Sequence, residues 1–159
     1  MADPAELAGT FVVEVGERLR TPFLVFYSDE RDYELRLDLD THWSLRFVDT
    51  EVCAFLDRGH RWRLGLSGGS RRIATHHLEV LSRLCGMTVG EARRDSDQAL
   101  RIAFCDRTTE STHLTVSGER TRLTSGAPWR LHRCLDTSLE IAWRLCAPGT
   151  GSARHALRS

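Results

Sequence analysis

Apolar and polar residues alternate along Tyr33-Glu34-Leu35-Arg36-Leu37-Asp38-Leu39. Tyr and the three Leu fall on one side of an extended chain, with Glu, Arg and Asp on the other, so the segment predicts a half-buried strand. Turn signals punctuate the chain at Thr21-Pro22, Ser28-Asp29-Glu30, Asp95-Ser96-Asp97, Ser117-Gly118 and Ser125-Gly126-Ala127-Pro128. Neighbouring strands are therefore expected to be antiparallel and locally connected, about nine or ten in all. One stretch breaks the pattern. Ala74, Leu78, Leu81 and Cys85 recur at helical spacing with Glu79 and Arg83 opposite, which predicts a single helix over about 74–85, N-capped by Thr75 and ended by a left-handed Gly86.

The chain also resembles itself. Leu7-Ala8-Gly9-Thr10-Phe11-Val12-Val13-Glu14 matches Leu84-Cys85-Gly86-Met87-Thr88-Val89-Gly90-Glu91. Further matches follow in unbroken order: Leu24–Asp29 with Arg101–Asp106, Leu35–Asp38 with Leu114–Ser117, Trp43-Ser44-Leu45 with Trp129-Arg130-Leu131, and Asp49–Val52 with Asp136–Leu139. The expected architecture is mostly β, within the α+β class: two pseudo-repeated antiparallel β-meander units, 7–56 and 84–146, joined by an insertion and the helix over 57–85. Residues 1–146 would form one domain. The segment 147–159, with Pro148, Gly149 and Gly151 and no periodic hydrophobicity, is expected to be a flexible tail. The pattern L-x-G-x-x-V, strands, a helix, then L-x-G-x-x-V again with a late Trp resembles a family of small GC-rich bacterial proteins known only as a domain of unknown function. The likeness spans about residues 5–145 and implies no transferable activity.

Composition narrows the chemistry. All 22 basic side chains are Arg, and neither Lys nor Asn occurs, which fits a gene from a GC-rich bacterium. Without Lys there is no Schiff-base lysine, no Walker-type phosphate lysine and no Ser-Lys dyad. The 22 acidic residues balance the charge, so bulk nucleic-acid binding is not expected. No apolar run has the length of a membrane span, and Met1–Glu6 lacks the features of a secretory signal, so a soluble cytoplasmic protein is the expectation. Cys53, Cys85, Cys105, Cys134 and Cys146 form no C-x-x-C pair; they read as small buried hydrophobes, and no metal or cofactor is expected.

Candidate chemistry gathers where the two units differ most, between Leu56 and His77. This insertion holds His60, Arg61, Trp62, Arg63, Ser67, Arg71 and Arg72 beside His76 and His77, a concentration of anion-binding and proton-transfer groups. Gly65-Leu66-Ser67-Gly68-Gly69 has the spacing of a nucleophile elbow, but an elbow needs a strained turn from a parallel strand into a helix; a Ser/Gly hairpin suits an antiparallel chain better. The same glycines with Arg71 and Arg72 could cradle an anion. His76 and His77 point about 100° apart on a helix and cannot share a metal from one face. One of them could act as a general base oriented by Asp57 or Glu79. Trp43 and Trp129 read as core, and Trp62 as a ligand or partner contact.

The leading expectation is a non-enzymatic ligand- or protein-binding module, of an immunity or regulatory type, that recognises a small-molecule anion or a protein partner through the insertion. The alternative is a cofactor-independent acid–base enzyme, such as a cyclase, isomerase or lyase, with His76 or His77 in a β-enclosed apolar cavity. Homodimerisation through exposed edge strands is compatible with either.

Overall fold

A computed structural model describes residues 1–68, 72–73, 75–105, 112–120 and 127–135. The chain is mostly β. After a short 3-10 turn at Pro4–Leu7 come β1 (Phe11–Arg18), β2 (Thr21–Tyr27), β3 (Tyr33–Leu39), β4 (Trp43–Phe47), β5 (Thr50–Leu56), β6 (Trp62–Leu66) and β7 (Arg72–Ile73). The helix α1 (His77–Ser82) then leads to β8 (Thr88–Arg94), β9 (Leu100–Cys105), β10 (Thr112–Val116) and β11 (Trp129–Leu135). Every strand pairing is antiparallel, in one sheet of order β11-β3-β2-β1-β8-β9-β10-β4-β5-β6-β7.

That order reads symmetrically outward from the β1–β8 contact. The meander expected in each unit is only partly local: β3 does not pair with β4, which crosses to β10, while β11 crosses back to β3. Each group of three strands is thus extended by a fourth from the other group. Registers make the equivalences specific, and they shift two of the sequence matches. Leu24 and Phe26 correspond to Ile102 and Phe104, since Val12 opposes Phe26 while Val89 opposes Phe104. Likewise Leu37 corresponds to Leu114, because Leu24 opposes Leu37 and Ile102 opposes Leu114. A one-residue offset in β2 would turn Leu24 and Phe26, both fully buried, toward the other face. Trp43 and Trp129 remain equivalent, opposite Val116 and Leu39. The match to Asp136–Leu139 and the expected tail at 147–159 lie outside the described residues.

Reciprocal backbone bonds close the centre. Gly9 N–H donates to Val89 O at 2.9 Å and Gly86 N–H to Val12 O at 2.8 Å, while Val12 N–H reaches Met87 O and Val89 N–H reaches Thr10 O. Gly9 and Gly86 have φ of 80° and 83°, a conformation glycine adopts without the Cβ clash. Just beyond, β1 and β8 carry matching register shifts, between Val12 and Glu14 and between Val89 and Glu91. Such bulges increase local twist, and the two flanks turn their apolar faces toward a shared interior. One buried cluster includes Val15, Phe26, Leu37, Leu45, Leu64, Leu81, Phe104, Leu114, Trp129 and Leu131. Each fully buried Leu or Phe contributes about 1.5–3 kcal/mol.

Three local expectations are corrected. The polar side of β3 is not solvated: Glu34 and Asp38 are buried, because β2 and β11 flank the strand and basic side chains cover its outer face. The helix is shorter than 74–85, and His76, not Thr75, is its N-cap, its Nδ1 accepting Leu78 N–H at 3.2 Å. Its buried side runs through His77, Val80, Leu81 and Leu84, whereas Leu78 and Cys85 are only partly covered. Nor are the four described cysteines buried: Cys105 is exposed, and Cys53, Cys85 and Cys134 are half-buried.

The two equivalent tryptophans differ in one bond. Trp129 Nε1 donates to Gln98 O at 3.0 Å, while Trp43 Nε1, equally buried, has no acceptor. Trp129→Phe therefore strands a carbonyl that Trp43→Phe does not, and urea denaturation should show Trp129→Phe to be the more destabilising by about 1–3 kcal/mol. Equal losses would contradict this account.

Candidate functional site

The insertion is a continuation of the sheet. Asp57–Arg61 turns β5 into β6, and β6 pairs with β7 through Leu64–Ile73 and Gly65–Arg72. Ser67 lies in the turn after an antiparallel strand, and a further strand, not a helix, follows it, so Gly65–Gly68 lacks the geometry of a nucleophile elbow. His60 and Arg61 are exposed, His60 with a left-handed φ of 58°. Arg63 is held by Asp57 at 2.7 Å. Backbone N–H groups of Arg61 and Gly59, together with Arg63, lower the Asp57 pKa to about 2. Arg71, and the side chain of Arg72, lie outside the described residues.

His76, His77 and Trp62 do come together. The imidazoles of His76 and His77 stack at 4.2 Å, Trp62 lies 5.6 Å from His77, and Trp43 lies 6.4 Å from Trp62. The carboxylate beside the buried imidazole is that of Glu17, not the expected Asp57 or Glu79: His77 Nε2 meets Glu17 at 3.0 Å. Glu17 sits near the end of β1 and is brought to α1 only by the fold. Trp62 Nε1 donates to Arg20 O at 3.1 Å, and Arg20 and Gln98 occupy equivalent left-handed turn positions, with φ of 66° and 67°. Trp62 thus takes the acceptor corresponding to the one Trp129 uses, which explains why Trp43 goes without. A cavity of about 170 Å³ beside Trp62 is bounded by Leu19, Arg20, Thr21, Leu39, Asp40, Leu56 and His60. Neither His76 nor His77 lines it.

A larger cavity, of about 460 Å³, lies on the outer face of β8, β9, β10, β4 and β5, within the volume range of small-ligand sites. Ser44, Arg46, Glu51, Glu91, Arg93, Arg101, Ala103, His113 and Thr115 line it. Strand register arranges its centre: Thr115 opposes Ser44, and His113 opposes Arg46. Ala103 lies beyond His113, and Arg101 beyond Thr115. On the equivalent outer face of β1, β2, β3 and β11 an aromatic ring takes the matching place. There Phe23 lies so close over Gly16 that a Cβ on Gly16 would sit 2.5 Å from the ring, and Arg36 stacks on Phe23 at 4.1 Å. Phe23 corresponds to Arg101, Gly16 to Arg93 and Val25 to Ala103. The second face has no ring at the matching place, and Asp95 binds both Arg93, at 3.0 Å, and Arg101. These contacts hold the Asp95 carboxyl below its ordinary value and raise Arg101, with the Arg101 hydrogen bond the largest cause of each shift.

At the cleft margin, Cys53 contacts Glu51 at 3.7 Å, and burial, followed by the nearby Glu51 charge, raises the thiol above its ordinary value. That favours the protonated, weakly nucleophilic form. Among the described residues, Arg46 and His113 have no carboxylate at ion-pair distance. Reading the sequence pointed to the insertion and missed this cleft, because its residues are single outward positions on five strands. The available signal was the small Ser44, Ala103 and Thr115 among long side chains. No family model, curated protein or solved structure matches the chain, so the functional reading rests on its own geometry. Among the described residues, no helix is long and apolar enough to cross a membrane, and no group of three or more His, Cys, Asp or Glu is placed to hold a metal ion.

Burial lowers the His77 pKa, outweighing the hydrogen bond to Glu17 that raises it. A histidine whose folded value lies below its unfolded value leaves stability intact above the ordinary value of about 6.5 and weakens the fold as pH falls through the folded value. Urea denaturation between pH 7.5 and 5 should therefore show a loss that is smaller in His77→Gln, which cannot be protonated. An undiminished pH dependence in that variant would place its source elsewhere.

Proposed function

We propose that this protein is a non-enzymatic binding module whose ligand enters the cleft formed by β8, β9, β10, β4 and β5. The observation that carries this reading is the cavity of about 460 Å³ beside a symmetry-related face plugged by Phe23. In a chain read as a duplicated unit, one face serves packing and the other is left open with polar groups at its centre. Arg46 and His113 supply hydrogen bonds without an aligned nucleophile and base, which suits recognition. Cytoplasmic bacterial origin belongs to the same proposal.

The insertion then has a supporting role: β6 and β7 extend the sheet beside β5, and Trp62 ties β6 to the β1–β2 turn. A cofactor-independent acid–base enzyme draws support from one observation, the Glu17–His77 pair at 3.0 Å. The nearer cavity is small and does not include that histidine, so catalysis there is the second reading.

Capture from a native lysate, read by mass spectrometry, separates them. Wild type, Arg46→Ala/His113→Ala and Trp62→Ala/His76→Ala/His77→Ala should be compared after each variant is shown to be folded. The expected result is a small molecule or protein lost with the first variant and kept with the second. Loss only with the second would return the site to the insertion.

A further inference from the structure

The filled face shows how this framework binds a carboxylate. On β3, Asp38 is buried, and its oxygens meet Arg36 at 3.0 Å, His132 at 3.5 Å and Arg130 at 3.8 Å. Arg36 and His132 are directly opposed across β3 and β11, as are Asp38 and Arg130. The same four places in the open cleft hold His113 opposite Arg46 and Thr115 opposite Ser44. The Arg/His pair is present in both, with the two residue types exchanged between strands. What differs is the carboxylate: Thr115 stands where the filled face has Asp38.

We infer that the open cleft binds a carboxylate from outside the chain, which takes the place beside Arg46 and His113 that Asp38 occupies beside His132 and Arg36. This rests on the binding reading above and names the ligand class for it. Arg46 offers a planar fork of donors matched to two carboxylate oxygens, His113 a ring N–H, and Ser44 and Thr115 hydroxyl donors. Arg101, in the place of Phe23, lies beside Thr115 but is already paired with Asp95. Thr115 ends one atom nearer the backbone than Asp and is uncharged, so the replacement removes the internal anion and leaves the place of its oxygens to a ligand.

The surrounding charges limit the rest of the ligand. Glu51 is paired across β4–β5 with Arg46, and Glu91 lies across β8–β9 from Ala103. Both carboxylates line the cleft and disfavour a second acidic group at those margins. A single carboxylate on a neutral or amine-bearing body fits this distribution. Two sources share that chemistry, a free organic acid and an acidic side chain of a protein partner.

The test uses the full chain with butyrate, its neutral isostere butyramide, and a blocked Gly-Glu-Gly peptide, followed by NMR at the His113 ring and the Ser44 and Thr115 amides. Saturable shifts with butyrate and none with butyramide are expected. Stronger binding of the peptide would indicate a protein side chain, and stronger binding of butyrate a free acid. Thr115→Asp restores the internal carboxylate and should weaken butyrate binding by about tenfold or more, as should Arg46→Gln, a change at an exposed side chain. Equal shifts from butyrate and butyramide, no saturation by either carboxylate, or undiminished binding in both folded variants would overturn the inference. Lysate capture that depends on Arg46 and His113 would, in those cases, leave the binding reading standing. Carboxylate binding without such capture would overturn that reading alone.

Discussion

Everything in the sheet depends on the short antiparallel contact between β1 and β8, where Gly9 and Gly86 each donate a backbone N–H into the opposite strand. Both glycines are left-handed, and both precede a bulge of the same kind. With two copies of one local geometry facing each other, the flanking strands leave the contact in related directions. Their apolar faces then meet in a common core that neither flank could close alone.

The exchange of β4 and β11 locks this arrangement. Each strand leaves its own hairpin series and completes the opposite one, with Asp40 N–H bonding Pro128 O and Ser117 N–H bonding His42 O, both at 2.9 Å. Separating the flanks would break strand pairings at both ends as well as the central contact. The tryptophans that follow the crossings, Trp43 and Trp129, seal equivalent parts of the core. The acceptor beside Trp43 has been taken over by Trp62 of the added hairpin. A buried donor without an acceptor is a local cost of that addition.

Related backbones with different outer side chains make the two outer faces unlike. Phe23, Arg36 and Asp38 make one outer surface satisfied from within, through stacking and ion pairing; Arg101, His113 and Thr115 leave its counterpart open. Cross-strand neighbours lie about 4.5–5.5 Å apart, close enough for side chains from adjacent strands to act on one ligand. Rigid strands suit such a task, since little side-chain or backbone ordering remains to be supplied on binding.

Local pattern determined the β class, a helix between β7 and β8, the left-handed Gly86 and the equivalence of Trp43 with Trp129. Alternation, turn residues and helical spacing act over a few residues and so leave a direct trace in the sequence. Tertiary structure decided what lies between strands: the crossing of β4 to β10, the two-residue correction in matching β3 to β10, the partnership of His77 with Glu17 and the burial of Asp38. It also decided the candidate site. Arg46 and His113 are far apart in sequence and become neighbours only through an interstrand register, and the space before them exists because no ring equivalent to Phe23 fills it.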